Sequence, residues 1–353
     1  MTTTGQRAGV AGPAPEPVDD SEDARPGAAD FTAAARALAA AETVTILCHV
    51  QPDADTIGSG LALAQVLHRR GVAVRVSFAE PAQLPVPMSS LPGVRHLVPP
   101  AEVPEQVDLL VAVDCGSAAR LGGLADRLAG ARTTLVIDHH RSNTRFGTIN
   151  LVDPSAESTT SVLTRLFDAW GEPIDRPVAH CLYAGLVTDT GSFRWVRPGT
   201  HELAERLLAT GIDGAEIAQT LLDTHPFGWL PMLSRVLGSA RLAPEAHGGV
   251  GLVYAFVRRT DLDGVTQEEA ESVVDIVRTT AEAGVAAVFK ESPEPGRWTV
   301  SLRSKDSGPD RHDGLDVSAV ATALGGGGHR YAAGYTAHGT PEEIVAELLA
   351  GLE

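Results

Sequence analysis

LVIDHHRSN, residues 135–143, decides the reading of this chain. Its apolar run, Leu135-Val136-Ile137, has the β-branched composition of a strand buried on both faces. The run stops abruptly at Asp138, His139 and His140. A buried strand ends that way either because a metal is held there or because a polar loop happens to be rich in histidine. Three other segments share the pattern of an apolar run closed by ligand-type side chains. TILCHVQPDAD (45–55) delivers His49, Asp53 and Asp55, LLVAVDCGS (109–117) delivers Asp114, and GLVTDTGSF (185–193) delivers Asp189.

Between 31 and about 150, short β-branched runs at 43–50, 72–79, 107–114 and 133–140 alternate with helical spacing, as at 56–71. That alternation predicts a parallel sheet with helices on both faces. In such sheets ligands bind beyond the carboxyl ends of the strands, where these side chains would converge. Helices are predicted over 158–171 and 177–191 and through 201–241, a helical connector. Residues 242–353 read as a second α/β unit, with strands at 249–257, 285–292 and 297–304 and helices at 268–280 and 316–324.

The chain has 353 residues, enough for about two domains of roughly 150 residues each, and 43% of them are apolar. With 28 basic against 45 acidic residues the net charge is −17, which argues against a long nucleic-acid duplex as partner. Three widely spaced cysteines, Cys48, Cys115 and Cys181, argue against a disulfide framework and fit a reducing cytoplasm. Cys48 and Cys115 read as small buried fillers. The first 30 residues, rich in Pro, Ala, Gly and acid, read as a disordered tail. No apolar run is long enough to predict a membrane span.

Taken singly, each proposed ligand has an ordinary reading: a turn histidine at 49, a helix cap at Asp55 or Thr56, a turn aspartate at 114, a polar helix end at 189. Together they read as one site. Carboxylates and imidazoles without thiolates suit Mn²⁺, with Mg²⁺ the alternative. Two such ions about 3.5–4 Å apart clamp a phosphoryl group and activate a hydroxide between them. Such a pair needs a bridging carboxylate, further carboxylates and histidines, and His49, Asp53, Asp55, Asp114, His139 and Asp189 supply that count. The other histidines, among them His68, His180, His201, His225 and His338, read as surface or packing residues.

LGGGGHRYAAG (324–334) places Gly325 to Gly328 directly after a helical pattern. Four glycines destabilise any regular element, but they suit a backbone that approaches an anion closely and offers it N–H groups. A flexible linker is the plain alternative. His329 follows, and SLRSK (301–305) adds Arg303, able to grip a phosphate bidentately, and Ser304.

With His49-x₃-Asp53-x-Asp55, Asp114, Asp138-His139-His140 and Asp189 on the page, the sequence resembles the DHH phosphoesterases. GGGGH at 325–329 resembles their associated C-terminal domain. The resemblance runs from about 40 to 350 and is strongest to the oligoribonuclease and pAp-phosphatase group and to cyclic di-AMP phosphodiesterases. It implies a tail at 1–30, a catalytic domain at 31–200, a connector at 201–241 and a substrate-binding domain at 242–353. The implied architecture is two α/β domains across a cleft, as a homodimer. It also implies two Mn²⁺ ions: His49 and Asp53 on one, Asp114 bridging, and Asp55, His139 and Asp189 on the other. His140 would contact the substrate phosphate and Asp138 would orient the neighbouring histidine. Arg303, Ser304, Gly326, Gly327, Gly328 and His329 would bind the far end of the substrate. The chain departs from the family pattern at DSGPDRHDGL (306–315), a longer and more polar loop whose His312 is expected to be exposed.

The expected activity is manganese-dependent hydrolysis of phosphate esters in short nucleotides: oligoribonucleotides, 3′-phosphoadenosine 5′-phosphate (pAp), and linear or cyclic di-AMP. Three rivals share part of the pattern. A manganese pyrophosphatase should lack GGGGH, a single-strand exonuclease should be longer, and a non-catalytic nucleotide sensor should have lost a ligand such as Asp114.

Overall fold

The computed structural model describes residues 25–305 and 315–353. Most of the expected tail (1–24) and most of the polar loop, including His312, lie outside the described residues. Helix α1 (Ala28–Ala40) begins inside the stretch expected to be tail.

The first core is built on five parallel strands, β1 (Thr43–Leu47), β2 (Ala73–Ser77), β3 (Val107–Val113), β4 (Ala131–Asp138) and β5 (Ile149–Val152), in the order β2-β1-β3-β4-β5. The period of two sends alternate side chains to opposite faces. Leu109, Val111 and Val113 of β3 join one apolar cluster, and Leu110 and Ala112 join another. The first face is covered by α1, α2 (Ala54–Arg69), α3 (Thr159–Trp170) and α4 (Arg176–Asp189). The second face, expected to carry helices, is closed by 3₁₀ turns over Ala118–Leu128, through Leu121 and Leu124.

Helices α2 and α4 lie unusually close. A Cβ on Gly58 would stand 2.5 Å from the Cys181 carbonyl oxygen. One on Gly185 would stand 2.3 Å from Asp55 Oδ1 and 2.6 Å from Thr160. This approach brings Asp55, on the first turn of α2, against the helix that ends in Asp189. Backbone cannot swing aside as a flexible side chain can, so Gly58→Ala is expected to destabilise the fold by about 1–3 kcal/mol, the usual range for overpacking. A denaturant titration would show it as a lowered midpoint.

The stretch read as a connector is divided between the two cores. Helices α5 (Thr200–Leu208) and α6 (Gly214–Leu222) pack on α4 in the first, through Ala204, Leu207 and Ile217. Helix α7 (Trp229–Gly238) packs in the second, through Met232, Leu233 and Val236.

The second core contains β6 (Arg241–Ala243), the one-turn α8 (Ala246–Gly249), β7 (Leu252–Val257), α9 (Gln267–Val277), β8 (Val285–Glu291), β9 (Arg297–Ser304), α10 (Val317–Ala323), β10 (Gly327–His329), β11 (Ala332–His338) and α11 (Pro341–Leu352). Its sheet runs β10-β11-β9-β8-β7-β6, antiparallel except for β7 and β8. Helices α10 and α11 cover one face and α7 and α9 the other. Two of the four glycines, Gly327 and Gly328, therefore sit in a regular strand against expectation. Close backbone approach explains Gly326 and Gly328, where a Cβ would lie 2.1 Å from the Gly334 carbonyl oxygen and 2.5 Å from Ala333 Cα, but not Gly327, where a Cβ would meet open space. Among the described residues no helix is long and apolar enough to cross a membrane.

Candidate metal centre

Strands β1, β3 and β4 are neighbours, and the residues just past their carboxyl ends meet at one edge of the sheet. His49 follows β1, Asp114 follows β3, and His139 and His140 follow β4. Asp189 arrives as the last residue of α4, and Asp53 and Asp55 from the start of α2. All six proposed ligands therefore converge. His49, Asp53 and Asp114 form one set of ligand-type atoms within 4.8 Å of one another, Asp55, His139 and Asp189 form a second, and Asp114, His139 and His140 form a third group that overlaps both.

Asp114 lies between the first two sets. Its Oδ2 is 3.4 Å from His49 Nε2, and its Oδ1 is 3.5 Å from His139 Nε2. One carboxylate thus presents an oxygen to each histidine, as a bridging ligand must. Its backbone has φ +58°, the left-handed region that an aspartate enters only at a local energy cost. The rest of each shell is equally close: His49 Nε2 to Asp53 Oδ2 is 3.4 Å, and His139 Nε2 to Asp189 Oδ2 is 3.2 Å and to Asp55 Oδ2 is 3.9 Å. In His139 Nδ1 faces the Ala156 carbonyl at 3.4 Å, whereas in His49 it faces both the Val50 carbonyl at 2.8 Å and the donating Arg120 guanidinium at 3.0 Å. A proton on Nδ1 leaves Nε2 bare for a metal.

The cap expected at Asp55 or Thr56 falls instead on Asp53, because α2 begins at Ala54, and capping is compatible with a ligand role. Asp53 caps α2, its Oδ1 accepting from the N–H groups of Asp55 and Thr56 at 3.1 and 3.0 Å, while its Oδ2 faces His49. Cys48 and Cys115 are buried and their thiols donate to carbonyl oxygens of Thr56 and Val113, outside both ligand sets. His68 sits against His96, His201 against Phe193, and His225 stacks on Trp229.

Asp138 is fully buried and not in either set. Its Oδ1 accepts from His140 Nδ1 at 2.7 Å and its Oδ2 from the Asn143 amide at 2.5 Å. His139 is 5% exposed and His140 22%, so of the two motif histidines it is His140 that reaches solvent.

Several residues at the site escaped the sequence reading. The N-terminus of α3 points at Asp55: the N–H groups of Thr159 and Thr160 donate to its Oδ2 and Oδ1 at 2.7 and 3.1 Å, and the Thr159 hydroxyl donates to Asp114 Oδ1 at 2.9 Å. Unpaired N–H groups and the helix dipole both favour a carboxylate there. The signal was the hydroxyl run Ser158-Thr159-Thr160-Ser161 heading a helix. Arg120 reaches His49 Nδ1 at 3.0 Å from the 3₁₀ segment, and Asn143 follows the motif by three residues.

Burial, reinforced by Asp189 and Asp114, pushes Asp55 well above the usual carboxylate range. Burial also pushes Asp189 up to about 6, with His139 opposing and the Asp53 and Asp114 charges adding. His49, whose burial alone would lower it, is held at about 10 by Asp53 and Asp114. Buried carboxylates crowded this way are what a divalent cation relieves, and their oxygen and imidazole donors suit a manganese- or magnesium-type ion. The residues present therefore fit a metal. A carboxyl raised in the folded state makes the metal-free fold lose stability as pH rises from about 4 to about 6, where Asp189 ionises. A bound cation reverses that loss. At a hundredfold excess over Kd it adds about 2.7 kcal/mol, several degrees of melting temperature. Thermal melts are expected to show this rise with Mn²⁺ at pH 7.5 and little of it at pH 5.

In the second domain Arg303 and Ser304 leave opposite faces of β9. Arg303 lies on the α9 face, its Nε 3.8 Å from Asp275 Oδ1. Ser304 lies on the other, its hydroxyl 3.4 Å from the Arg330 carbonyl. In register, Arg303 pairs with Ala332, which pairs with His329. Gly326 precedes β10, and Gly327 and Gly328 lie in it.

The model of the DHH family N-terminal domain matches residues 43–186, and that of the DHHA1 domain matches 249–353. The chain is 32% identical over 298 residues to the bifunctional oligoribonuclease and PAP phosphatase NrnA of Thermus thermophilus, covering 84% of each. The chain belongs to the DHH family. As a DHH protein it is a phosphoesterase, the class to which its curated relatives' activities belong. It is also 24% identical over 308 residues to the cyclic-di-AMP phosphodiesterase PdeA of Listeria monocytogenes, a match that spans 44% of that longer protein. The crystal structure of an exopolyphosphatase-related protein from Bacteroides fragilis shares the DHH fold, with a TM-score of 0.79 and 23% identity over 92% of this chain and 96% of that one.

Proposed function

We propose that this DHH protein hydrolyses phosphate esters in short nucleotides, namely oligoribonucleotides, pAp and linear or cyclic di-AMP, with two Mn²⁺ ions as cofactor. The observation that carries the reading is Asp114, whose two oxygens face two separate histidine–carboxylate sets. His49 and Asp53 would hold one ion, Asp55, His139 and Asp189 the other, and Asp114 both. Two bound cations supply charge neutralisation at the phosphoryl oxygens and a lowered pKa for water. The chain's own groups do the rest. Thr159, Thr160 and the carbonyls of Val50 and Ala156 hold the ligands in place. Asp138 stays ionised and accepts a hydrogen bond from His140 Nδ1–H, holding the ring towards its protonated form so that Nε2–H would donate to a substrate oxygen. Arg303, Ser304, the glycine strand and His329 belong to the second domain, where they would hold the part of the nucleotide away from the scissile bond.

The acidic net charge supports short substrates over long polymers, whose affinity grows with basic contacts. The relatives named for oligoribonucleotides, pAp and cyclic di-AMP support the same class. A homodimer in a reducing cytoplasm completes the proposal, the latter in keeping with three unpaired, buried cysteines. The test is a reaction panel with Mn²⁺ or Mg²⁺ on pAp, pApA, cyclic di-AMP and pyrophosphate. Turnover of one or more nucleotides is expected, and turnover of pyrophosphate alone would overturn the proposal.

A further inference from the structure

The turn that follows Asp189 is strained and tightly held. Gly191, Ser192 and Phe193 are all left-handed, at φ +56°, +58° and +62°. Single non-glycine residues visit that region at a cost, and two in succession need outside support. Thr190 provides it: its carbonyl accepts from the N–H groups of Arg194 and Trp195, at 2.9 and 3.1 Å, and its hydroxyl from Phe193 N–H at 3.1 Å. The product of this turn is a fixed position for Trp195. The indole lies so close over Gly191 that a Cβ there would be 2.2 Å from a ring carbon, and yet Trp195 is 41% exposed.

The other partner of this indole comes from the second domain. The Arg278 guanidinium stands 4.5 Å from the centre of the Trp195 ring. Arg278 caps the C-terminal end of α9 and is ion-paired through Nε to Asp275 Oδ1 at 2.9 Å, the same carboxylate oxygen that faces Arg303. From the proposed ligand Asp189 the turn itself leads through Thr190 and Gly191 to Trp195, and contacts lead on through Arg278 and Asp275 to Arg303.

We propose that Trp195 and Arg278 are positioning residues that fix the distance between the metal centre and Arg303, and so select nucleotides held by both domains. This rests on the proposed role of Arg303 and on the short-nucleotide reading. A cation over an indole is a contact of moderate strength. It is strong enough to favour one spacing of the domains, and weak enough to let substrate enter and product leave.

The test compares Trp195→Ala, Trp195→Phe, Arg278→Ala, Arg278→Lys and the double alanine variant with wild type on the nucleotide that the reaction panel shows to be turned over. The alanine variants are expected to raise KM about tenfold, in line with a cation–π contact between domains, with kcat within twofold. The phenylalanine and lysine variants should recover most of the loss, and the double variant should be no worse than either single one, as for two partners of one contact. Calorimetric Mn²⁺ affinity should be unchanged throughout. Unchanged KM would overturn the proposal. So would weakened Mn²⁺ binding in Trp195→Ala, because the effect would then run through Asp189 rather than through the domain contact. Failure of the short-nucleotide reading would appear in the wild type on the panel, and failure of this inference in the variants.

Discussion

Asp114→Ala is expected to abolish measurable nucleotide hydrolysis, lowering kcat/KM on the order of 10³-fold or more, about 4 kcal/mol of transition-state stabilisation. The reason is that one carboxylate serves two sets of ligands. Loss of Asp53 or Asp189 would impoverish one set, whereas loss of Asp114 takes an oxygen from both. It also leaves the Thr159 hydroxyl without its acceptor. Calorimetry should show weakened binding of both Mn²⁺ ions, with the fold retained by circular dichroism. Wild-type turnover by a folded, metal-treated Asp114→Ala protein would refute the assignment of the site.

The second large effect is expected at His140. His140→Gln should lower kcat on the order of 10²–10³-fold, the range for losing one proton-transferring or charge-stabilising group, while Mn²⁺ affinity stays close to wild type. The two properties separate because His140, although near Asp114 and His139, is the more exposed of the paired histidines and has its Nδ1 engaged by Asp138 at 2.7 Å, closer than Asp114 at 3.5 Å. His139→Gln is the contrast: it should lose metal and activity together. Isothermal titration beside steady-state kinetics distinguishes the cases, and parallel loss of metal by His140→Gln would place His140 among the ligands instead.

The convergence of the proposed ligands was legible in the sequence because they follow the ends of apolar runs, and a run of that kind reads as a buried element with its polar end at a boundary. Convergence then followed from the rule that parallel strands present their carboxyl ends together. What stayed hidden depends on approach in space. Thr159 and Thr160 lie over a hundred residues from Asp55, and no local pattern announces that one helix N-terminus will meet that carboxylate. Arg120 was missed for the same reason, 71 residues from His49. In the second domain, local propensity argued against a strand at Gly327 and Gly328. The backbone pairing with β11 overrides it, and at Gly328 only glycine permits that separation. Helices α5 and α6 looked like connector, since an amphipathic helix shows that it has a buried face but not which core will receive it.

The interleaving of ligands along the chain sets an order of events during synthesis. His49, Asp53 and Asp55 emerge first, Asp114 and His139 much later, and Asp189 last. Before Asp189 has left the ribosome the second set is one carboxylate short; the first set needs β3 to pair beside β1, and the second needs β4 as well. On the proposed ligand assignment both sets are complete only when β1, β3, β4 and α4 are in place, so loading of a metal pair would report that this part of the first core has folded.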